Sequence, residues 1–100
     1  YADMLNGRQT PETVREYLAK HYAGEKFITV QPLGAESESG GVLFSSARSG
    51  WDGLEIYVTG NEDRIMVTTR FDNLGKGASG AAIQCMNIVL GCEEDKGLTV

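Results

Sequence analysis

Gly75-Lys76-Gly77-Ala78-Ser79-Gly80 has the spacing G-x-G-x-x-G and lies between a strand-like and a helix-like segment. Glycines so placed leave backbone N–H groups open at a helix N-terminus, and Lys76 sets a cation beside them, a combination suited to an anionic or amide-bearing ligand. The same glycines would also let a turn pack closely with no ligand at all. A Rossmann dinucleotide site is rejected, because it needs a second parallel strand after the helix, ending in an acidic residue about 20 positions on, and the sequence reaches only to Val100.

Other candidates for chemistry are few. If both are helical, Cys85 and Cys92 stand ~10 Å apart by helix rise, too far for a disulfide. Both are expected to be free thiols, with Cys85 a small buried apolar residue. His21 is the one histidine, and with no C-x-x-C spacing this argues against a zinc site or a hydrolase triad. It reads as a residue of a helix's last turn, where a partial positive charge is favoured. Glu93-Glu94-Asp95 reads as a solvated acidic tail.

These residues need elements to hold them. Thr10 before Pro11 starts a helix, expected over Pro11 to Tyr22 and ended by Gly24. Val14, Tyr17, Leu18 and Tyr22 fall on its apolar face, with Glu16 and Lys20 paired on the other side. Phe27 to Gln31 reads as a strand stopped by Pro32. Ala35 to Gly41 reads as a loop, with a short strand at Val42 to Ser45. Leu54, Ile56 and Val58 alternate with polar neighbours, and the alternation resumes at Ile65, Val67, Thr69 and Phe71 after Gly60-Asn61-Glu62-Asp63, a hairpin pattern. Gly77 to Leu90 turns helical and ends at Gly91. The order α, β, β, β, β, α implies an α+β fold with a mostly antiparallel sheet and flanking helices.

The chain has 100 residues, 41% hydrophobic and 23% charged, which suits one soluble folded domain. Fourteen acidic against nine basic residues give a net charge of -5, and that field repels nucleic acid and acidic membranes. No apolar run has the length of a membrane helix and the first residues lack the basic flank and apolar stretch of a signal peptide, so a cytoplasmic location or an organelle matrix is expected. Tyr1-Ala2-Asp3-Met4-Leu5 reads as a strand end entering a loop without an initiator Met, as a truncated chain would.

The run Arg70-Phe71-Asp72-Asn73-Leu74-Gly75-Lys76-Gly77-Ala78-Ser79-Gly80-Ala81-Ala82-Ile83-Gln84, then Met86-Asn87-Ile88 and Leu90-Gly91, resembles the C-terminal signature of N-acetyl-γ-glutamyl-phosphate reductases. His21-Tyr22-Ala23-Gly24, Phe27 to Leu33, and Leu54 to Val58 are similar to the same family, and Ala35 to Gly50 is the weakest stretch. The resemblance implies part of a glyceraldehyde-3-phosphate-dehydrogenase-like C-terminal domain. Residues 1–76 would be a partial catalytic and oligomerisation domain, and 77–100 a C-terminal helix and tail packing on an NADP-binding domain outside this chain.

The reaction so implied is NADPH-dependent reduction of an acyl phosphate to a semialdehyde in arginine biosynthesis, through a cysteine thioester and an acid–base histidine. The family's Asn-Pro-Gly-Cys type motif and its histidine have no counterpart here, so the resemblance gives this chain no catalytic residues and no activity of its own. Asn73, Lys76 and Gly77 carry over as cofactor-binding residues, with Asn73 near the nicotinamide carboxamide. Implied partners are a small-molecule substrate, NADP and further copies of the chain in a homo-oligomer. Aspartate-semialdehyde dehydrogenase and aminoadipyl-phosphate reductase share related turns, and a non-catalytic binding or assembly module is the alternative of another class.

Overall fold

A computed structural model describes residues 1–100. The first helix, α1, spans Pro11–His21. Thr10 accepts a hydrogen bond from the Thr13 N–H at 3.2 Å, and Thr13 Oγ1 accepts from the Thr10 N–H at 2.9 Å, so two free donors of the first turn are satisfied reciprocally. Pro11 fills the first helical position, as its missing N–H permits.

The inward stripe of α1 is rotated from the expected one. Val14, Leu18 and Tyr22 are half-buried, but Tyr17 is 70% exposed and Arg15 is half-buried in its stead. Arg15 causes this, because its guanidinium donates to the carbonyls of Gln31 at 3.3 Å and Val30 at 3.5 Å, turning Tyr17 outward to lie parallel to the His21 ring. The expected Glu16–Lys20 pair is not among the ion pairs formed.

Three strands form one sheet in the order β1 (Ile28–Val30), β2 (Leu54–Gly60), β3 (Ile65–Phe71). β2 and β3 make the expected antiparallel hairpin, with Leu54 opposite Phe71 and Gly60 opposite Ile65. Asn61 Oδ1 accepts from the N–H groups of Asp63 and Arg64, both at 2.9 Å, and closes the turn. β1, however, runs parallel to β2, so the sheet is mixed where a mostly antiparallel one was expected. The connection from Gln31 to Gly53 exceeds the roughly dozen residues that a parallel return needs.

That connection holds 3-10 turns at Ala35–Ser39 and Ser45–Arg48, and the expected strand at Val42 to Ser45 does not form. Gly40 and Gly41, just before it, take φ of 66° and 81° and turn the chain at the end of the first 3-10 segment, and Arg70 Nη1 donates to the Phe44 carbonyl at 3.2 Å. The first residues also differ from expectation: Ala2–Met4 is a 3-10 turn, and buried Ala2 donates its N–H to the Asp63 carbonyl at 3.0 Å.

The second helix, α2, spans Gly80–Val89 and follows a π-helical turn at Gly75–Ser79. The core is small: Ala2, Phe27, Ile56, Tyr57 and Val58 are its buried hydrophobic residues. The radius of gyration, 15.4 Å, exceeds the ~13 Å of a compact domain of this length, and Met86, Ile88, Val89 and Leu90 of α2 and its end stand exposed. No helix is long and apolar enough to cross a membrane.

Candidate functional site

β3 delivers the chain into Asp72-Asn73-Leu74 and then the glycine turn. Because β3 pairs antiparallel with its neighbour, this turn is not the parallel-strand turn of a Rossmann unit. The N–H of Gly77 donates to the Asp72 carbonyl at 3.0 Å and that of Ser79 to the Leu74 carbonyl at 2.9 Å, each spanning five residues. Such one-turn π segments recur at functional sites, since they re-aim side chains within a helix entry.

The donors expected to await an anion are largely spent inside the chain. Asp72 Oδ1 accepts from the Leu74 N–H at 3.2 Å and Oδ2 from the Gly50 N–H at 2.9 Å. These backbone N–H groups hold the Asp72 carboxyl below its usual range. A carboxylate therefore already occupies the start of the turn, and an arriving anion would meet its repulsion. Of the two ligand types, an amide-bearing one suits this place.

The three glycines divide the work. A β-carbon on Gly75 would lie 2.7 Å from Asp52 Oδ1, and one on Gly80 would collide with the same oxygen and, at 2.7 Å, with the Gly75 carbonyl. Gly75 and Gly80 are buried and serve close packing. Gly77 is exposed, and a β-carbon there would stand 3.2 Å from Asn73 Oδ1 and 3.1 Å from Phe71 Cε2. Gly77 therefore puts no side chain between the Phe71 ring edge and the exposed Asn73 amide. The exposed Asn73 amide, both donor and acceptor, could pair with a carboxamide ligand.

Lys76, expected to flank the ligand, is half-buried and directed inward. Its Nζ donates to Gln84 Oε1 at 2.5 Å and lies 4.8 Å from the centre of the Phe27 ring. Gln84 in turn donates to Glu94 Oε1 at 2.5 Å. The tail is thus docked, not solvated as expected: Lys26 pairs with Asp95 at 2.9 Å, and buried Asn87 donates to the carbonyls of Glu94 at 3.0 Å and Lys96 at 2.9 Å.

Both cysteines are free thiols, but Cys85 is exposed where burial was expected. The buried residues of α2 are Gly80 and Asn87, and Cys85 projects away from the stripe they define. His21 ends α1 as expected and also meets the Tyr22 ring edge-on at 4.7 Å.

Sequence reasoning missed Glu55, which alternation placed among the polar residues of β2 and which is 1% exposed. Arg48, Gln31 at 2.8 Å and, through Nε, Arg70 at 2.9 Å all donate to it, and Arg70 also donates to the Tyr57 hydroxyl at 2.8 Å. Burial alone would raise the Glu55 carboxyl; the hydrogen bonds and charges of Arg48 and Arg70 outweigh it and bring it to about 2. Arg70 directly opposite Glu55 in the hairpin register is the signal that could have found this cluster.

No family model matches the chain. It is 39% identical over 98 residues to N-acetyl-gamma-glutamyl-phosphate reductase 2 of Nostoc sp., covering 94% of this chain and 30% of that protein. The N-acetyl-gamma-glutamyl-phosphate reductase of Frankia casuarinae is 42% identical over 101 residues, covering 93% of this chain and 27% of that protein. That of Brucella ovis is 40% identical over 89 residues, covering 87% and 28%. The resemblance drawn from the glycine turn therefore extends over nearly all of the chain, and the chain spans under a third of the length of these relatives.

Proposed function

We propose that this chain is the C-terminal part of an NADP-dependent N-acetyl-γ-glutamyl-phosphate reductase, which converts an acyl phosphate to a semialdehyde in arginine biosynthesis. The observation that carries this reading is similarity across 94% of the chain to a relative so named. In this reading residues 1–76 belong to the catalytic and oligomerisation domain, and 77–100 pack on the cofactor-binding domain of the longer protein. It acts in the cytoplasm or an organelle matrix.

Bound NADPH supplies the hydride, while the nucleophilic cysteine and the acid–base histidine come from residues beyond this chain. The chain's own contribution is to bind and orient. Asn73 offers the amide that meets the nicotinamide carboxamide, and Gly77 leaves room for it beside Phe71. Lys76, tied to Gln84 and Phe27, fixes the entry of α2 against the body of the domain. Exposed Met66 and Val67 on β3 offer surface for assembly into a homo-oligomer through the sheet.

The test is phosphate-dependent NADP reduction by the longer protein with N-acetylglutamate semialdehyde, with aspartate semialdehyde as competitor and this chain assayed alongside. Turnover of the acetylated substrate by the longer protein alone is the expected result. Preference for aspartate semialdehyde would move it to the sibling reductases, and turnover by the chain itself would overturn the assignment of its chemistry elsewhere.

A further inference from the structure

We propose that Asp52 is a positioning residue for the Asn73–Gly77 turn, so that docking of the C-terminal tail on Asp52 sets the affinity for the dinucleotide. The inference rests on the reading above that this turn meets the cofactor. Asp52 lies just before β2 and joins three segments remote in sequence. Its N–H donates to the Thr99 carbonyl at 2.8 Å, and its Oδ2 accepts from the Thr99 N–H at 2.9 Å, a two-bond clasp on the tail. Its other oxygen, Oδ1, fills the space where a β-carbon would stand on Gly75 or Gly80, 2.7 Å from the first such position and overlapping the second, at the start of the π turn and of α2. Gly50, two residues earlier, donates its N–H to Asp72 Oδ2 at 2.9 Å. Residues 50–52 thus hold both ends of the segment that carries Asn73 and Gly77.

The clasp fixes which carboxylate oxygen faces the glycines. With Oδ2 engaged by Thr99, the side chain cannot rotate without losing a hydrogen bond, and Oδ1 stays as the stop against which the turn rests. Releasing the tail frees that rotation and lets the turn shift toward Asp52, carrying Asn73 with it. Asp52 touches neither substrate nor cofactor in this account.

The test uses the longer protein that carries this chain. Asp52→Ala and Thr99→Pro, which removes the N–H that clasps Oδ2, are each expected to raise KM for NADPH about tenfold while kcat moves less than about twofold, the pattern of a displaced binding group. Asp52→Asn keeps an acceptor for Thr99 and the same bulk against the glycines, and is expected to stay close to wild type. A lowered melting temperature with KM for NADPH unchanged in Asp52→Ala and Thr99→Pro would overturn the proposal, leaving Asp52 a structural residue. If Asp52→Ala does not fold, Thr99→Pro, which alters only the exposed tail, decides. Failure of the wild-type protein to oxidise NADPH would instead overturn the function, and is read separately.

Discussion

Glu55 and Arg70 face each other across the β2–β3 register, and Arg70 Nε donates to Glu55 Oε2 at 2.9 Å inside a cluster where the carboxylate is 1% exposed. Removing Arg70 leaves a buried carboxylate with one of its two cationic partners, Arg48, and the Gln31 amide. Arg70→Met is expected to destabilise the fold by about 3–5 kcal/mol. Urea unfolding followed by the fluorescence of Trp51, which lies under the Arg48 guanidinium, measures it. A loss under about 1 kcal/mol would mean that the cluster is open to solvent.

The same carboxyl sets an acid limit. Its value falls from 4.5 to about 2 on folding, so its stabilisation is present above about pH 4.5 and is lost as the pH drops toward 2. Glu55→Gln is expected to be less stable at neutral pH and to show a flatter loss of stability between those values. Equal slopes for the two proteins in urea titrations at several pH values would contradict the assignment.

Gly80 and Gly77 are expected to respond oppositely to a methyl group. Gly80→Ala collides with Asp52 Oδ1 and the Gly75 carbonyl and should cost about 1–3 kcal/mol of stability. Gly77→Ala meets the edge of Phe71 and the movable Asn73 side chain, with the Asp72 carbonyl at an ordinary 3.5 Å, so its melting temperature should stay near wild type. In the longer protein it should weaken NADPH binding, measured by fluorescence titration. Loss of stability without loss of binding would remove Gly77 from the cofactor site.

Asn73 is exposed. Asn73→Ala is therefore expected to leave the melting temperature within error and to raise KM for NADPH in the longer protein by about 3- to 10-fold, the worth of one neutral hydrogen bond. An unchanged KM would place the carboxamide elsewhere.

Cys85 sits on the exposed side of α2 beside Met86 and Val89, and Cys92 is half-buried. In this chain alone, Ellman's reagent should modify Cys85 well before Cys92. If α2 packs on another domain, the longer protein should slow Cys85 by about tenfold or more. Equal rates in both would show that this face of α2 stays open.

Local chemistry is what the sequence determined. The Thr10-Pro11 start of α1, the alternation and Asn61 turn of the hairpin, and the glycine stop at Gly91 each depend on residues within a few positions of one another, and each is where the residues imply. The candidate turn was legible for the same reason: its glycines and Asn73 form one short run.

Partners distant in the chain were decided only by the tertiary structure. Alternation in β1 carries no information about strand direction, so the parallel pairing with β2 emerged only from the path of residues 31–53. Arg15 rotated α1 because the Val30 carbonyl of β1 and the Gln31 carbonyl just after it lay within its reach. Glu55 reads as a solvent-facing strand residue until Arg48 and Arg70 close over it. The glycine motif looks uniform in sequence, yet Asp52, brought in from the start of β2, assigns Gly75 and Gly80 to packing and leaves Gly77 facing outward. Spacing reports which side chains share a face, whereas what covers that face depends on contacts that form only when the whole chain has folded.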